Sequence, residues 1–437
     1  MNNGMYDLDT IREALRYARR YRGSTFVLKI DYPVVVDDLF PILLQDIALL
    51  HQSGIRIVIV PGARQRIDEM LRMYGISQPV QDGERITTGE ALPFVEMASF
   101  DVASKLISGL AGKGINSLIG NWVRAKGRGI INGVDFQLTG RVERVDSDPL
   151  IHILTEGYIP IIPPVGWNAS GKSYNLSADE VAHKVAVSIP SEKLFYIGTH
   201  GVLRLEEKKL PEAVKTVSDG RVSRLTVQEA RELEKAEVLP DIWSRLVSYG
   251  RRSCEAGVNR VHILDGSVEG VVLREIFSNL GIGTMIHTNI FESVRPMERS
   301  DISEVLHIME PYVRQGVLVF RDTESIESSL RDYVVYDVDG TVHGCAALHQ
   351  YKSGYGEIAA IAVDRHFAGM GIGSRLVGYL FQRAREIGLK RVFAFTTQTS
   401  DWFERLGFRE GHLSDIPEQK RAHYNRRRNS KILIRDL

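Results

Sequence analysis

A chain of 437 residues is too long for one ordinary hydrophobic core, so the first expectation is two domains. Lysine plus arginine and aspartate plus glutamate each total 55, and this zero net charge gives no reason to expect a nucleic acid or an anionic membrane as a partner. No apolar stretch is long enough to span a bilayer, and residues 1–22 are too polar and charged for a signal peptide. Only Cys254 and Cys345 are present, which favours the reducing cytoplasm over a disulfide framework.

Strands and helices alternate along the chain as far as residue 280. The expected elements are a helix at 10–22, the strand TFVLKI, helices at 37–52 and 64–74 around an apolar strand at 55–60, a helix at 90–109, the strand SLIG, a hairpin-rich stretch at 123–146, a strand at 158–165, a helix at 176–189, strands at 193–199 and 257–265, and a helix at 268–280. Apolar, β-branched runs such as IRIVIV are typical of buried parallel strands. This alternation predicts an α/β fold with a mostly parallel, open sheet that carries helices on both faces.

A different pattern begins near residue 290. We place a first domain at 1–288, with its N-terminal helix at about 8–22, and a second domain at 293–437. The second domain is expected to contain a first strand, a helix capped by Ser300 or Asp301, a hairpin with the turn Asp339-Gly340, the strand EIAAIAV, a helix after GMGIG, the strand RVFAFTT, the short helix DWFERLGF and the last strand SKILIRDL.

Three glycines, Gly369, Gly371 and Gly373, separate the strand EIAAIAV from the helix that follows it. Glycine lets a backbone approach a ligand closely, and the free amides and positive dipole at a helix start favour phosphate. A cofactor that carries a diphosphate is therefore the natural ligand. The alternatives are a plain strand-to-helix turn and a dinucleotide fingerprint, but the latter requires an acidic residue at the end of the next strand, where this chain has threonines.

This arrangement resembles motif A of the GNAT acetyltransferases, and the resemblance covers residues 293–437. The family pattern Arg/Gln-x-x-Gly-x-Gly/Ala begins here at Ala368, which departs from it. The resemblance implies acetyl-CoA as co-substrate and a strand that splays from its neighbour to bind the pantetheine arm. The cofactor-binding residues that it implies are Gly369, Met370, Gly371, Ile372, Gly373 and Ser374, together with the main chain of Ile361, Ala362 and Val363.

The transfer of an acetyl group to an α-amine requires a base, since an ammonium group must lose a proton before it attacks a thioester. Glu357, at the head of the cofactor strand, is the candidate, and the alternative is a solvated charge at a strand end. A backbone amide near Ile361 would meet the negative charge on the thioester oxygen. The candidates for protonating the leaving thiolate are the hydroxyls of Thr396, Thr397 and Tyr424, which the sequence does not rank.

Four segments resemble the N-acetylglutamate synthase family more specifically. They are GCAAL at 344–348 before GEIAAIAV, TTQTSDWFERLGF at 396–408, YNRRRNSKILIRDL at 424–437, and the whole N-terminal domain, which resembles the amino-acid kinase fold. The resemblance implies acetylation of L-glutamate, the first step of arginine biosynthesis. It also suggests Arg321, Arg428 and Lys431 as ligands of the substrate carboxylates, although each is equally explained as a surface charge. Phe320 stands where relatives often have a basic residue, so another amino acid stays open as the substrate.

The kinase-like domain suggests a second activity, phosphorylation of an acyl-amino acid, or a bifunctional kinase–acetyltransferase. Kinases of this fold hold ATP phosphates with a lysine followed closely by two glycines. Lys29 is present here, but Asp31-Tyr32 replace the glycines and should obstruct and repel phosphate. Asn175 and Asp179 are then more simply read as polar residues at a helix entry.

A regulatory role for the N-terminal domain fits the sequence better. Residues 261–286 resemble the segment that binds the inhibitor arginine in arginine-sensitive relatives, and the resemblance places Tyr17, His262, Glu275 and Gly281 at that site. Their structural alternatives are helix packing, a surface charge and a helix C-cap. The resemblance also implies a homo-oligomer, from dimer to hexamer. No metal is expected, and a non-catalytic sensor of arginine or acetyl-CoA remains an alternative.

Overall fold

The computed structural model describes the chain except for residues 1–16, 78, 82, 206–210, 212, 213, 215, 218, 278–280, 289–291, 339, 353, 370, 423, 426 and 427. Residue contacts divide the chain into two compact units, Met1–Asn289 and Ile290–Leu437, which we call the first and the second unit. Within the described residues, every helix is too short or too polar to cross a membrane.

An eight-stranded sheet forms the centre of the first unit, in the order β14-β16-β15-β13-β1-β2-β10-β5. Its strands are β1 (Thr25–Asp31), β2 (Arg56–Gly62), β5 (Ser117–Ile119), β10 (Ile159–Ile161), β13 (Ser191–Gly198), β14 (Arg224–Thr226), β15 (Arg260–Asp265) and β16 (Thr284–His287). All neighbouring pairs are parallel except β15 and β16. The predicted mostly parallel sheet is therefore confirmed.

Helices cover both faces of this sheet. They are α1 (Tyr32–Val35), α2 (Phe40–Gln52), α3 (Arg64–Met73), α4 (Leu92–Ala111), α5 (Ser147–Thr155), α6 (Ala178–Ser188), α7 (Val227–Lys235), α8 (Asp241–Glu255) and α9 (Val271–Phe277). One hydrophobic core includes Phe26, Ile47 and Leu106, and the other includes Val27, Val185 and Val247. Phe26 and Val27 are adjacent in β1 and enter different cores, because successive side chains of a strand point to opposite faces.

The hairpin-rich stretch at 123–146 lies in a smaller four-stranded sheet, in the order β12-β11-β6-β9. Its strands are β6 (Val123–Gly127), β9 (Gly140–Val145), β11 (Val165–Trp167) and β12 (Ser173–Asn175), and two short hairpins pair β3 (Val80–Gln81) with β4 (Glu84–Arg85) and β7 (Ile130–Ile131) with β8 (Val134–Asp135). The single strand predicted at 158–165 is wrong, since β10 belongs to the large sheet and β11 to the small one.

The helix predicted at 37–52 begins later, at Phe40. Asp37 Oδ1 accepts a hydrogen bond from Leu39 N at 2.8 Å, a local turn that competes with helix, and Pro41 then stands in the first helical turn. The one-turn helix α1 before it was not predicted. Of the helix predicted at 10–22, the structure describes the part from Tyr17, which is helical as far as Arg20.

A seven-stranded sheet forms the second unit, in the order β17-β18-β19-β20-β21-β23-β22. Its strands are β17 (Glu292–Pro296), β18 (Tyr333–Val338), β19 (Thr341–Tyr351), β20 (Tyr355–Val363), β21 (Arg391–Thr396), β22 (Arg409–Gly411) and β23 (Lys431–Asp436). Its helices are α10 (Ile302–Arg314), α11 (Thr323–Ser328), α12 (Ile372–Glu386), α13 (Ser400–Arg405) and α14 (Glu418–Arg421). Among the described strands of this sheet, only β20 and β21 form a parallel pair.

The predicted cap of α10 is corrected by the structure. Asp301 stands at the N-cap position of α10, but its side chain makes no cap hydrogen bond to that helix. Its carboxylate instead accepts from Glu298 N at 2.7 Å and pairs with Arg295 at 2.7 Å. Asp301 therefore fixes the short 3₁₀ turn before α10 and ties it to β17.

Candidate active site and effector site

Strand β20 parts from its neighbour β21 halfway along its length. The two strands pair only from Tyr355 to Glu357, and beyond Glu357 β20 continues to Val363 without pairing to β21. The part of β20 that is not paired with β21 contains a β-bulge in its pairing with β19. There, the two residues Ala360 and Ile361 stand opposite the single residue Ala346 of β19. Ala360 has a φ of 54°, which L-residues rarely adopt. The main chain of β20 therefore lines a fork that an extended ligand can enter.

The predicted glycine turn lies where β20 leads into α12. Gly369 and Gly371 have φ values of 83° and 76°, and a Cβ built on either would meet no atom of the described residues within 4 Å. Gly371 is the N-cap of α12 and offers no side chain to its first amides, which are oriented to bind an anion. Met370 lies outside the described residues. Ile372 is buried, and Ser374 is the third residue of the helix, within its first turn.

The third glycine of the turn has a different role from the other two. A Cβ on Gly373 would meet Trp402 Cζ2 at 3.1 Å, so this glycine makes room for the indole of α13. The binding of a ligand by all three glycines stays a prediction, and the third glycine in addition leaves space for the packing of Trp402. Trp402 and Gly373 together hold the helix start against α13.

Glu357 lies at the point where the fork opens and is only 5% exposed. Both of its side-chain contacts reach Oε2: Tyr351 donates its hydroxyl at 2.8 Å, and Lys420 Nζ forms an ion pair at 2.8 Å. Burial and the neighbouring Glu357 carboxylate raise the pKa of Tyr351 above its usual value, so the phenol stays protonated and keeps donating. Glu357 is therefore a buried, held carboxylate and not the solvated strand-end charge that was its alternative.

Two of the three hydroxyl candidates for a general acid, Thr396 and Tyr424, are engaged locally, and the third, Thr397, is exposed. Thr396 Oγ1 lies 2.8 Å from Thr399 Oγ1 and accepts from Thr399 N at 3.0 Å, which fixes the turn before α13. Tyr424 donates its hydroxyl to the carbonyl of Ser430 at 2.8 Å and packs its ring 5.8 Å from that of Phe395. Tyr424 must give up its hydrogen bond to Ser430 before it can protonate a thiolate, whereas Thr396 must do so only if it is the donor to Thr399.

The three cationic candidates for the substrate do not converge on one point. Arg321 donates to the carbonyl of Val319 at 3.1 Å. Burial raises the pKa of the Cys345 thiol on β19, and the positive charge of Arg321 partly opposes this rise. Arg428 donates to the carbonyls of Gly316, at 3.0 Å, and Val317, and so joins the C-terminal loop to the end of α10. Lys431 is exposed and lies 3.9 Å from Glu410 on β22. Arg321 and Arg428 thus both donate to carbonyls of the loop between α10 and α11, whereas Lys431 lies at the surface.

Sequence reasoning missed three residues around the fork. Tyr312 on α10 donates its hydroxyl to the carbonyl of Val363 at 2.6 Å. This hydrogen bond holds the end of β20 in place and already occupies that carbonyl. Tyr351 lies six residues before Glu357, across the hairpin of β19 and β20, and faces the same side, but the sequence analysis predicted only the hairpin with the turn Asp339-Gly340. Lys420 carried no local signal, since it comes from the four-residue helix α14 far along the chain.

Three of the four predicted effector residues come together in the first unit. His262 Nδ1 lies 2.7 Å from Glu275 Oε1, and Glu275 Oε2 accepts from Ile282 N at 2.7 Å and Gly283 N at 2.9 Å, next to Gly281. Burial opposes ionisation of Glu275, but His262 and the two amides outweigh it and hold the pKa of Glu275 below its usual value. Burial also lowers the pKa of His262, in spite of the raising effect of Glu275. The histidine is therefore neutral, donates through Nδ1 and keeps Nε2 as an acceptor.

Tyr17 reaches this cluster through a row of aromatic rings. The centroids of Tyr17 and Tyr21 are 4.3 Å apart, those of Tyr21 and Phe26 5.8 Å, those of Phe26 and Phe195 5.7 Å, and Phe195 stacks on His262 at 4.8 Å. The part of the chain that carries Tyr17 and Tyr21 is thereby linked, through Phe26 of β1 and Phe195 of β13, to His262 on β15.

A buried ion-pair cluster lies at the carboxyl ends of the central strands, where ligands bind in open α/β sheets. Lys29 Nζ lies 2.6 Å from Asp31 Oδ1 and 2.8 Å from Asp179 Oδ1, and Arg245 Nε lies 2.9 Å from Asp179 Oδ2. Burial opposes the charge on Lys29, but Asp179 and Asp31 outweigh it and raise the pKa of Lys29. Asp179, which the sequence suggested as a polar helix-entry residue, is thus a central member of the cluster.

Asp31 occupies the space between two strand-end glycines. A Cβ on Gly62 would lie 2.1 Å from Asp31 Oδ1, and a Cβ on Gly198 would lie 2.6 Å from Asp31 Oδ2. The carboxylate of Asp31 therefore fills the space beside Lys29 at these strand ends. Among the described residues, no group of three or more His, Cys, Asp or Glu side chains is placed to hold a metal ion.

Two family models match the chain, one in each unit. The model described as the amino acid kinase family matches residues 27–265, and the model described as the acetyltransferase (GNAT) family matches residues 291–408. The fold and the fork with its glycine turn thus define a GNAT acyltransferase fused to an amino-acid kinase-like domain.

Similar proteins cover the whole length of the chain. An amino-acid acetyltransferase of Ralstonia nicotianae is 32% identical over 98% of this chain and 95% of its own, and one of Neisseria meningitidis serogroup A is 34% identical over 98% and 97%. The crystal structure of N-acetylglutamate synthase from Neisseria gonorrhoeae complexed with coenzyme A and L-arginine matches with a TM-score of 0.84 and 32% identity, over 98% of this chain and 99% of that one. A structure of the same enzyme complexed with coenzyme A and N-acetyl-glutamate matches with a TM-score of 0.61 and 33% identity, over the same shares. The chain belongs to the amino-acid acetyltransferase family, the N-acetylglutamate synthases, and is an amino-acid N-acetyltransferase.

Proposed function

We propose that this protein transfers the acetyl group of acetyl-CoA to the α-amino group of L-glutamate, the first step of arginine biosynthesis, in the cytoplasm. The observation that carries the proposal is the fork of β20 and β21, with Glu357 at its opening and the glycine turn at its far end. The main chain of Ile361, Ala362 and Val363 lies between these two points, where an extended pantetheine arm would hydrogen-bond it as an added strand.

The roles of the residues follow from this placement. The amides of Ile372, Gly373 and Ser374 at the start of α12 would bind the diphosphate, because they are the orphan donors of a helix with a glycine N-cap. The bulge at Ile361 frees main-chain groups from the ladder with β19, which supports an amide donor for the thioester oxygen there. Glu357 would accept the proton of the α-ammonium, directly or through water.

Arg321 and Arg428 are the cations that would orient the two carboxylates of glutamate. Arg321 lies in the loop between α10 and α11, Arg428 donates to a carbonyl of the same loop, and a guanidinium can bind a carboxylate through two parallel hydrogen bonds. Lys431 fits this role less well, because it is exposed beside Glu410. The thiolate would be protonated by Thr396 or Tyr424 only after each releases its present partner.

L-Arginine is the proposed effector at the cluster of His262, Glu275 and Gly281. His262 Nε2 is buried and has no hydrogen-bond partner among the described residues, so it can accept from a guanidinium N–H. The similar Neisseria gonorrhoeae enzyme was crystallised in complex with coenzyme A and L-arginine. Tyr17 ties this cluster to the N-terminal helix, which in oligomers of this family joins subunits, and we propose a homo-oligomer on the same grounds.

A kinase activity is disfavoured by Asp31. A phosphate that entered beside Lys29 would have to displace a carboxylate that is already ion-paired with it at 2.6 Å. A bifunctional enzyme would consume ATP in the presence of N-acetylglutamate, and we expect no consumption above background.

The test is release of free thiol from acetyl-CoA across a panel of amino acids, with and without arginine. We expect glutamate to be the preferred acceptor and arginine to change its rate. Glu357→Gln should lower kcat by at least about 100-fold, the usual contribution of a general base, while calorimetry still detects coenzyme A binding. Thiol release with another amino acid but not with glutamate would refute the substrate assignment, and unchanged turnover of Glu357→Gln would remove Glu357 from the mechanism.

A further inference from the structure

We propose that Lys420 is a positioning residue for the acetyl transfer, which keeps Glu357 ionised and presents its free oxygen to the substrate amine. This inference rests on the proposed function, because it concerns the ionisation of the base that the transfer requires. It assigns a role to the short helix α14, which carries neither a glycine-turn residue nor a substrate candidate.

The contacts of Glu357 are unevenly divided between its two oxygens. Lys420 Nζ and the Tyr351 hydroxyl both lie 2.8 Å from Oε2. The side chain of Glu357 is 7% exposed, whereas that of Lys420 is 28% exposed. Two donors on Oε2 fix the rotation of the carboxylate, and no side chain in the described part of the chain donates to Oε1, so Oε1 is the oxygen that is left to receive a proton.

Burial makes the ion pair necessary. A carboxylate that leaves water without a partner takes up a proton, and a protonated Glu357 cannot serve as a base. Lys420 supplies an opposite charge within hydrogen-bonding distance and remains partly solvated itself, so its own desolvation cost is small. The hydrophobic surroundings hold Lys420 in place: its ammonium lies 5.5 Å from the ring centre of Phe395, and Ile416 just before α14 is 2% exposed.

The effects of the other groups that face Glu357 must be distinguished from the effect of Lys420. His349 stands directly opposite Glu357 in the β19–β20 ladder, and its Nδ1 lies 2.7 Å from Asp332 Oδ2. Tyr351 is the second donor to Glu357. On the other side, β21 presents Phe393, which does not titrate. A pH effect at this site therefore comes from Glu357 with Lys420, from Tyr351, or from the His349–Asp332 pair.

The first experiment measures kcat for glutamate against pH in the full-length protein. The wild type should show an acid limb, and Lys420→Met should move this limb to higher pH by about one to two units, since an opposite charge at this distance shifts a carboxyl titration by that order. Lys420→Arg should restore the wild-type limb, and Tyr351→Phe should move it in the same direction by less. The exposed Lys390→Met is the matched control and should leave the profile unchanged. The ammonium group of glutamate titrates alike for every variant, so a difference between profiles belongs to the protein.

The second experiment does not depend on activity. Carbon-13 labelling of glutamate carboxyls, with the Glu357 signal identified by its loss in Glu357→Gln, follows the ionisation of this side chain directly. The signal should stay that of a carboxylate to lower pH in the wild type and in Lys420→Arg than in Lys420→Met. Lys420→Gln serves in the same way if the Met variant does not fold.

The outcomes separate the two proposals. A wild type that releases no thiol with glutamate would refute the proposed function, whatever the labelled signal shows. An active wild type in which Lys420→Met leaves both the acid limb and the labelled signal unmoved would overturn the role of Lys420. A raised KM for glutamate without a shifted limb would make Lys420 a ligand of the substrate instead, and a limb that moves only in His349→Gln would assign it to the histidine.

Discussion

At the scale of single residues, two glycines near the start of α12 make a matched pair for substitution. Gly371 has a φ of 76°, whereas Gly378 lies inside the helix with no described atom within 4 Å of an added Cβ. We expect Gly371→Ala to lower the free energy of unfolding by about 1–2 kcal/mol, the cost of a left-handed conformation for an L-residue. Gly378→Ala should raise it by about 0.5–1 kcal/mol, because alanine loses less entropy in a helix.

Urea unfolding and coenzyme A calorimetry together check this pair. We expect Gly371→Ala also to weaken coenzyme A binding, because a strained turn presents its amides less well. Gly378→Ala should bind coenzyme A as the wild type does. Equal stability of the two variants would show that Gly371 is not held in the left-handed region.

His183 on α6 predicts a dependence of stability on pH. Burial, and then the positive charges of Arg252 and Lys184, lower the pKa of His183 to about 4 from the ordinary 6.5. Its Nδ1 donates to Ser253 Oγ at 2.7 Å, since that hydroxyl already donates to the carbonyl of Tyr249. The folded protein disfavours protonation, so this contribution is complete above pH 6.5 and is lost as the pH falls from 6.5 towards 4.

Denaturant midpoints between pH 7.5 and 4 measure this loss. His183→Gln should flatten the decline below pH 6.5, because the variant has no imidazole to protonate. His152→Gln, which changes an exposed histidine on α5, should leave the slope of the wild type. A decline of equal steepness in His183→Gln would place the sensitivity on another group.

Several residues of the site were within reach of the sequence, and others were not. Glu357 and the first two glycines follow from local pattern, because a strand end and a helix start are set by neighbouring residues. The partner of Glu357 was not predictable, since Lys420 meets it only through the tertiary fold. His262 and Glu275 were assigned by resemblance to one pocket, but their direct contact at 2.7 Å is a result of the structure.

At the scale of elements, the bulge in β20 is the feature that separates this strand from an ordinary one. Ala360 combines a φ of 54° with 4% exposure. We expect Ala360→Gly to change the free energy of unfolding by less than about 1 kcal/mol, because relief of the left-handed strain is offset by the greater entropy of glycine in the unfolded chain. Ala360→Val should cost more than about 2 kcal/mol, since a β-branched residue hardly adopts this conformation and the site has no room.

Thermal unfolding and thiol release measure the effect of the bulge on fold and activity. If Ala360→Val proves as stable and active as the wild type, the bulge does not constrain the fork. The bulge itself was not foreseen, because the apolar run in GEIAAIAV is typical of a regular buried strand and no glycine marks the irregular position. The order of strands and helices was predicted well where the period of apolar residues is clear, and it failed at 37–39, where Asp37 makes a local turn.

At the scale of the whole molecule, each unit contains hydrophobic cores made of its own residues. We expect calorimetry of the full-length chain to resolve two unfolding transitions. Coenzyme A at 100 times its Kd should stabilise only the transition of the second unit, by about 2.7 kcal/mol, and arginine should raise only that of the first. A single transition that both ligands raise together would show that the two units unfold as one.

The carboxylate of Asp31 supplies the buried Lys29 with a negative counter-charge from the first unit itself. Lys29 is balanced by residues of its own chain and needs no anion from solution to be tolerated in the interior. Lys29 therefore needs no phosphate as a counter-ion, and we expect the free energy of unfolding of the first unit to be the same with and without ATP.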